Sequence, residues 1–150
     1  MEFDHSHPWN VGVLNHFESW DGPVVMLPGD DTRPIDACGA HPDVIDRVWR
    51  ELNDALPVDC RAVVQGVPAL LHPERGVVMA ITHGTAYALR VTDEDLPSAL
   101  EAGCHLVREW TGGGQTNISD ALGHGWVFGH HSDREGDCLC ATFDALDAGD

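Results

Sequence analysis

Residues 60–91, CRAVVQGVPALLHPERGVVMAITHGTAYALRV, decide the fold, because no other long stretch combines apolar with β-branched residues in this way. Pro73 and Gly76 bound one turn, and the quartet at residues 82–85 makes another. Around these turns the chain is apolar over strand lengths, and residues 86–91 alternate between two faces. Short connections join successive strands as antiparallel neighbours, so the block predicts a meander. Its predicted strands cover residues 60–65, 69–72, 77–81 and 86–91, with a break at residues 66–68.

Helical patterns flank this block on both sides. Residues 42–56 place apolar side chains on one stripe, with Pro42 at the first helical position. Ser132 and Glu135 form a capping-box pattern that predicts a closing helix to about residue 148. Local patterns predict shorter elements: a helix over 11–20 capped by Asn10, a helix at 96–102, and strands at 24–27, 105–110 and 126–128.

These elements predict an α+β fold, with an antiparallel β-meander sheet packed on one side by two or three helices. The 150 residues suit a single domain, which at this length buries roughly 70% of the surface of the unfolded chain. Residues 1–10, which are polar and rich in histidine, are predicted to form a flexible arm.

The charge balance bears on the kind of partner. The chain has 25 Asp and Glu against 8 basic residues, all of them Arg, for a net charge of −17. A field of this sign repels phosphate backbones, so nucleic acid is not expected as a partner. It favours a small-molecule substrate that is cationic or neutral, or a basic protein partner, or it serves solubility alone.

Cysteine usage and hydropathy bear on the compartment. Five cysteines without framework spacing predict reduced thiols and a cytoplasmic protein. Residues 1–10 have neither the basic nor the apolar region of a signal peptide. No apolar run approaches the ~20 residues of a membrane span, so no membrane partner is expected.

The order of elements over residues 42–103, a helix, G-x-P, an alternating aromatic strand and an acid-capped helix, resembles the small MmcQ/YjbR-type and TfoX N-terminal-type domains. The resemblance implies an α+β fold and a DNA-binding role, and the net charge of −17 opposes that role. Those domains usually carry Lys where this chain has Arg90. The stretch from Asp36 through Arg90, which begins DACGAHP, and residues 126–129 also resemble uncharacterised proteins of GC-rich bacteria, which implies no activity.

One candidate catalytic group precedes the helix at residues 42–56. Asp36, Cys38 and His41 combine a carboxylate, a thiol and an imidazole beside a helix N-terminus, which lowers a thiol pKa. The alternative is a buried Cys38 with His41 as the helix N-cap.

A second candidate is a pocket beside the meander. His83, as an acid or base, and Tyr87 and Arg90, as substrate ligands, come from one hairpin. The other predicted substrate-binding residues are His72, Trp110 and Trp126, whose aromatic rings suit an aromatic or cationic substrate. The alternative is that Tyr87 and both tryptophans are ordinary core residues.

Metal and nucleotide patterns are incomplete. The His5/His7, His130/His131 and Cys138/Cys140 pairs lack the spacing of zinc ligands, so neither a metal nor a cofactor is predicted. The glycine-rich residues 111–115 lack the Lys of a phosphate-binding loop, which favours a mobile loop or lid.

The leading hypothesis is therefore a cofactor-independent small-molecule enzyme or ligand-binding domain, which uses general acid/base chemistry if it is an enzyme. One specific form is a biosynthetic condensation or cyclisation of an aromatic amine. The alternatives are an acidic, non-enzymatic interaction protein that binds a basic partner, and a metal-binding protein with His/Cys clusters. Whether the chain forms a homo-oligomer is open.

Overall fold

The structure is a computed structural model that describes residues 2–18, 22–30, 39–107, 118 and 120–149. It confirms a single α+β domain with a seven-stranded antiparallel sheet and, in the described part, four α-helices. The strands are β1 (Val25–Met26), β2 (Arg61–Val64), β3 (Val67–Leu71), β4 (Val78–His83), β5 (Ala86–Arg90), β6 (His105–Leu106) and β7 (Trp126–Phe128).

The sheet order is β1-β2-β3-β4-β5-β7-β6, and every neighbouring pair is antiparallel. Strands β2 to β5 pair in sequence order, so the predicted meander is confirmed. The helices are α1 (Val11–Phe17), α2 (Pro42–Asp46), α3 (Leu96–Glu101) and α4 (Glu135–Asp147), and α2 continues as a π-helical segment (Arg47–Leu52). None of the described helices is both long and apolar enough to cross a membrane.

The predicted break at residues 66–68 is wrong, because Pro68 lies inside β3 opposite Val63. Gln65 and Gly66, both at positive φ, make a two-residue hairpin turn between β2 and β3. The two residues that close such a turn exchange backbone hydrogen bonds, so the next cross-strand pair, which contains Pro68, does not. Pro68 therefore costs this ladder no bond, and its carbonyl accepts the Thr82 hydroxyl at 2.7 Å.

Both faces of the sheet are covered, which corrects the expectation of one covered side. One core cluster contains Leu89 of β5 with Leu139 of α4 and Val48 of the π-helical segment. The second core cluster contains Ala88 of β5 with Val13 of α1. At Gly12, α1 lies so close to Leu122 that a β-carbon would overlap the Leu122 carbonyl.

Residues 2–10 pack against the sheet and do not extend from it as the predicted arm. Phe3 is buried in the second core cluster. Asn10 is fully buried and does not cap α1 as predicted. Its amide instead donates to the Asp4 and Gly76 carbonyls at 2.8 and 2.9 Å and accepts the Val78 N–H at 3.1 Å. Asn10 thus joins the N-terminal segment to the start of β4.

Candidate functional site

A buried carboxylate, Glu135, lies at the first turn of α4. The predicted capping box is present: the Ser132 hydroxyl accepts the Arg134 N–H at 3.1 Å, and Glu135 accepts the Ser132 N–H at 3.2 Å. Glu135 also accepts the His130 N–H at 2.8 Å, and its side chain is only 2% exposed. The capping residue is therefore also a buried charge.

Arg47 and Tyr87 complete the buried polar cluster around Glu135. The Tyr87 hydroxyl donates to Glu135 at 2.5 Å, and the Arg47 guanidinium donates to the same carboxylate at 3.1 Å. The hydroxyl in turn accepts the His131 N–H at 2.7 Å and the Arg47 Nε–H at 3.3 Å. The cluster joins the π-helical segment, β5 and α4.

The pKa shifts in the cluster follow from burial and pairing. Burial alone raises the pKa of Glu135, but the donated hydrogen bonds outweigh it and the pKa lies below its ordinary value. Burial, reinforced by the Glu135 carboxylate, raises the pKa of Tyr87. The Tyr87 hydroxyl uses its donor and both acceptor positions within the protein, and its role in substrate binding stays a prediction.

Replacing Gly129 with alanine tests the packing beneath this cluster. A β-carbon at Gly129 would overlap the Tyr87 ring, so we expect G129A to lose about 1–3 kcal/mol of unfolding free energy. The matched control is G29A, since nothing lies within 4 Å of a β-carbon at Gly29. Urea unfolding should leave G29A within about 0.5 kcal/mol of the wild type. Equal stability of the two variants would contradict the packing.

His72 is buried and bonded at both ring nitrogens. Its Nδ1 accepts the N–H groups of Glu74 and Arg75 at 3.3 and 3.2 Å, so Nε2 carries the proton and donates to Asp147 at 2.8 Å. The ring stacks on Phe143 with centroids 4.3 Å apart. No ring nitrogen is left for a substrate, although a pocket of about 340 Å³ adjoins the ring.

The backbone of His41 is bonded to the β4–β5 turn, which directly follows His83. The Gly84 N–H donates to Gly39 at 2.6 Å, and the His41 N–H donates to Gly84 at 2.7 Å. His41 Nδ1 accepts the Asp43 N–H at 3.1 Å and so caps α2, as the alternative interpretation expected. His83 Nδ1 is buried and has no hydrogen-bond partner. Acid/base roles for these histidines stay predictions.

A pocket of about 400 Å³ lies at the other end of β5 from His83. The end of β5, the loop that leads to α3, the 3₁₀ turn Pro8–Asn10 and one side of α4 enclose it. Its lining combines aromatic, charged and small side chains: Trp9, Arg90, Thr92, Asp93, Glu94, Asp95, Ala141 and Ala145. Because the two alanines are one turn apart on α4, they leave open space that larger side chains would fill.

Arg90 supplies the positive charge of the pocket lining. Its guanidinium lies 4.5 Å from the centre of the Trp9 ring and donates to the His124 carbonyl at 2.9 Å. Its Nε–H is buried and has no acceptor among the described residues. Within the described part of the chain, no carboxylate lies within 4 Å of it. Burial lowers the pKa of Arg90, and Asp93 only partly opposes this.

The residues around Arg90 leave its Nε without an acceptor. Asp93 pairs with His124 at 2.8 Å instead. Trp126, directly opposite Arg90 in the sheet, is fully buried, and its own Nε1–H has no acceptor either. Gly125 is at positive φ, and a β-carbon there would come within 2.7 Å of the Arg90 guanidinium carbon. A glycine at this position therefore lets the guanidinium approach the backbone.

Several predicted residues have no described structure. Asp36, Cys38, Trp110 and the glycine-rich residues 111–115 lie outside the described residues. Among those described, no three His, Cys, Asp or Glu side chains are grouped so that they could hold a metal. The described cysteines are free, and burial raises the pKa of Cys60 and Cys104 to about 12.

The sequence did not indicate three parts of the pocket. Trp9 lies in the predicted arm, the acidic residues before α3 are expected only as a helix cap, and Ala141 and Ala145 are expected only as part of the closing helix. The signal that was available is the acidic run from Asp93 to Asp95 directly after the arginine at the end of a strand.

Comparison of the chain with protein-family models, with curated proteins and with solved structures yields no match. Its function is therefore argued from the chemistry of the pocket alone.

Proposed function

We propose that the protein binds a small molecule in the pocket at the end of β5, and that Arg90 anchors it. The observation that carries the proposal is the Arg90 guanidinium, which lines the pocket and has no carboxylate within 4 Å in the described part of the chain, although acidic residues outnumber basic ones by 25 to 8. A charge-assisted hydrogen bond from this guanidinium to a ligand oxygen contributes about 1.5–3 kcal/mol.

The size and lining of the pocket support a small molecule. A volume of about 400 Å³ is within the range of ligand sites, and the lining combines apolar walls with a few charged groups. The larger depression of about 660 Å³ at residues 2–6 and 73–75 lacks this character. Its arginine, Arg75, is exposed and bonds the Asp147 carbonyl at 3.1 Å.

The experiment is a titration with a defined panel of acetate, methylphosphonate, methanesulfonate, methylammonium and the common amino acids. Binding is read from the indole N–H signal of Trp9 in ¹H–¹⁵N spectra. We expect at least one compound to shift that signal, and R90Q to weaken its binding roughly 10–100-fold, the loss of one charge-assisted hydrogen bond. R75Q is the matched control and should bind like the wild type.

Two results would overturn this proposal. One is that no compound of the panel shifts the Trp9 signal in the wild-type protein. The other is that R90Q binds as tightly as R75Q. If a basic peptide instead shifts the signals of residues across the acidic surface, this result would favour the alternative of an acidic interaction protein.

The reduced state of the thiols supports a cytoplasmic setting for this function. Cys60, Cys104, Cys138 and Cys140 are all free, as is usual for proteins of a reducing compartment. We propose that the ligand is bound there without a cofactor. General acid/base chemistry on the bound molecule, with an aromatic amine as one form of substrate, stays part of the proposal.

A further inference from the structure

We infer that the ligand is a zwitterion of the amino-acid type, with its carboxylate on Arg90 and its ammonium group on the acidic wall at Glu94 and Asp95. The inference rests on the proposed function and names the class of molecule that the same pocket takes.

The first step concerns the carboxylate. Arginine binds planar oxyanions through parallel N–H donors, and the Arg90 guanidinium lines the pocket with one of its N–H groups on the His124 carbonyl. A carboxylate on the pocket side of the guanidinium would pair with a cation that has no carboxylate within 4 Å in the described chain. A purely cationic ligand would meet a like charge there.

The second step concerns the ammonium group. Three carboxylates, Asp93, Glu94 and Asp95, line the same pocket as the single guanidinium. Asp93 pairs with His124, whereas Glu94 and Asp95 form no ion pair within the described part of the chain. Two carboxylates and one guanidinium that line the same pocket without pairing with each other are complementary to a molecule that carries both charges.

The third step decides between a zwitterion and a simple anion. A simple anion would enter a pocket whose carboxylates outnumber its guanidinium, on a protein of net charge −17. A zwitterion has no net charge, so the overall field does not oppose its approach. The apolar wall formed by Trp9, Ala141 and Ala145 would contact the remaining part of the molecule, which favours an apolar side chain.

The test compares three probes that differ only in charge: L-phenylalanine, its C-terminal amide and its N-acetyl derivative. Binding is read from the indole signal of Trp9. We expect L-phenylalanine to bind at least about tenfold more tightly than either analogue, since each analogue loses one charged contact. R90Q should remove the preference over the amide. The double variant E94Q/D95N should remove the preference over the N-acetyl derivative, and D133N, an exposed acidic control, should change neither preference.

The outcomes separate this inference from the proposed function. If N-acetyl-phenylalanine binds as tightly as phenylalanine, the acidic wall does not hold an ammonium group and the inference is overturned, while an Arg90 site remains. Equal binding of the amide also overturns the inference, since Arg90 then holds no carboxylate, and the comparison of R90Q with R75Q decides separately whether Arg90 anchors a ligand. If all three probes fail while another compound of the panel binds through Arg90, the inference alone falls. The variant A145L tests the pocket itself, because the larger side chain should fill it and block all three probes.

Discussion

Replacing Glu135 with alanine is expected to lower the unfolding free energy by about 3–5 kcal/mol, the usual cost of breaking a buried ion pair on one side. The variant leaves the Arg47 guanidinium, whose side chain is 12% exposed, without its buried counter-ion. It also leaves the N–H groups of His130 and Ser132 and the Tyr87 hydroxyl without their acceptor. Urea unfolding at neutral pH measures the loss.

The control for this prediction removes the other carboxylate that Arg47 contacts. Glu51 pairs with Arg47 at 2.9 Å, but its side chain is 40% exposed, so E51A should cost less than about 1 kcal/mol. If E135A is too unstable to purify, E135Q keeps the shape of the side chain and should lose less. Similar, small losses in E135Q, E135A and E51A would contradict the role of the cluster.

The Glu135 carboxylate makes the unfolding free energy depend on pH, and urea unfolding at several pH values can follow this dependence. The pKa of Glu135 is lowered in the folded protein. Its contribution to the unfolding free energy is therefore fully present above the ordinary pKa of about 4.3 and is lost as the pH falls through the lowered pKa. The stability difference between the wild type and E135Q should therefore shrink in acid. A difference that stays constant from neutral pH to roughly pH 2 would contradict the pairing.

Replacing Asn10 with alanine is expected to cost about 3 kcal/mol. The variant leaves the buried N–H of Val78 without an acceptor, which costs about 1–3 kcal/mol, and it removes one of the two donors of the Gly76 carbonyl, which keeps the Asp4 N–H. It also releases the segment that carries Trp9 into the pocket. The measurement is urea unfolding, together with the Trp9 indole signal, which should move toward the position of an exposed indole.

The matched control is N15A, because Asn15 lies exposed in α1 only five residues further along. Alanine has the higher helix propensity, so N15A should be neutral or slightly stabilising. If N10A were as stable as N15A, the N-terminal segment would not be fastened to β4 as the structure has it.

The sheet could be predicted because its strands are local and consecutive. Residues 60–91 carry turn residues at short intervals, so pairing follows from sequence order. The prediction at Pro68 is wrong because proline usually ends a strand. Whether a strand tolerates proline depends on its hydrogen-bonding register with the neighbouring strand. The turn at Gln65 and Gly66 sets that register here, so the sequence of one strand alone does not reveal it.

The site was harder to predict, because sequence distance says little about which side chains share a pocket. Tyr87 and Arg90 are three residues apart on one strand, yet Tyr87 belongs to the Glu135 cluster and Arg90 to the pocket. Trp9 reaches Arg90 only because Asn10 binds β4, a contact with a sequence separation of 68 residues. Capping chemistry identified Glu135, but its burial depends on Arg47, which lies on another helix.

The central claim is that Arg90 anchors a small molecule, and the most direct measurement is the Nε–H signal of Arg90 during titration with the panel described above. We expect one class of compound to move this signal together with the Trp9 indole, as a ligand oxygen binds the Arg90 guanidinium, while the Arg75 signal stays in place. An Arg90 signal that no compound moves, or one that moves only in step with Arg75, would contradict the claim.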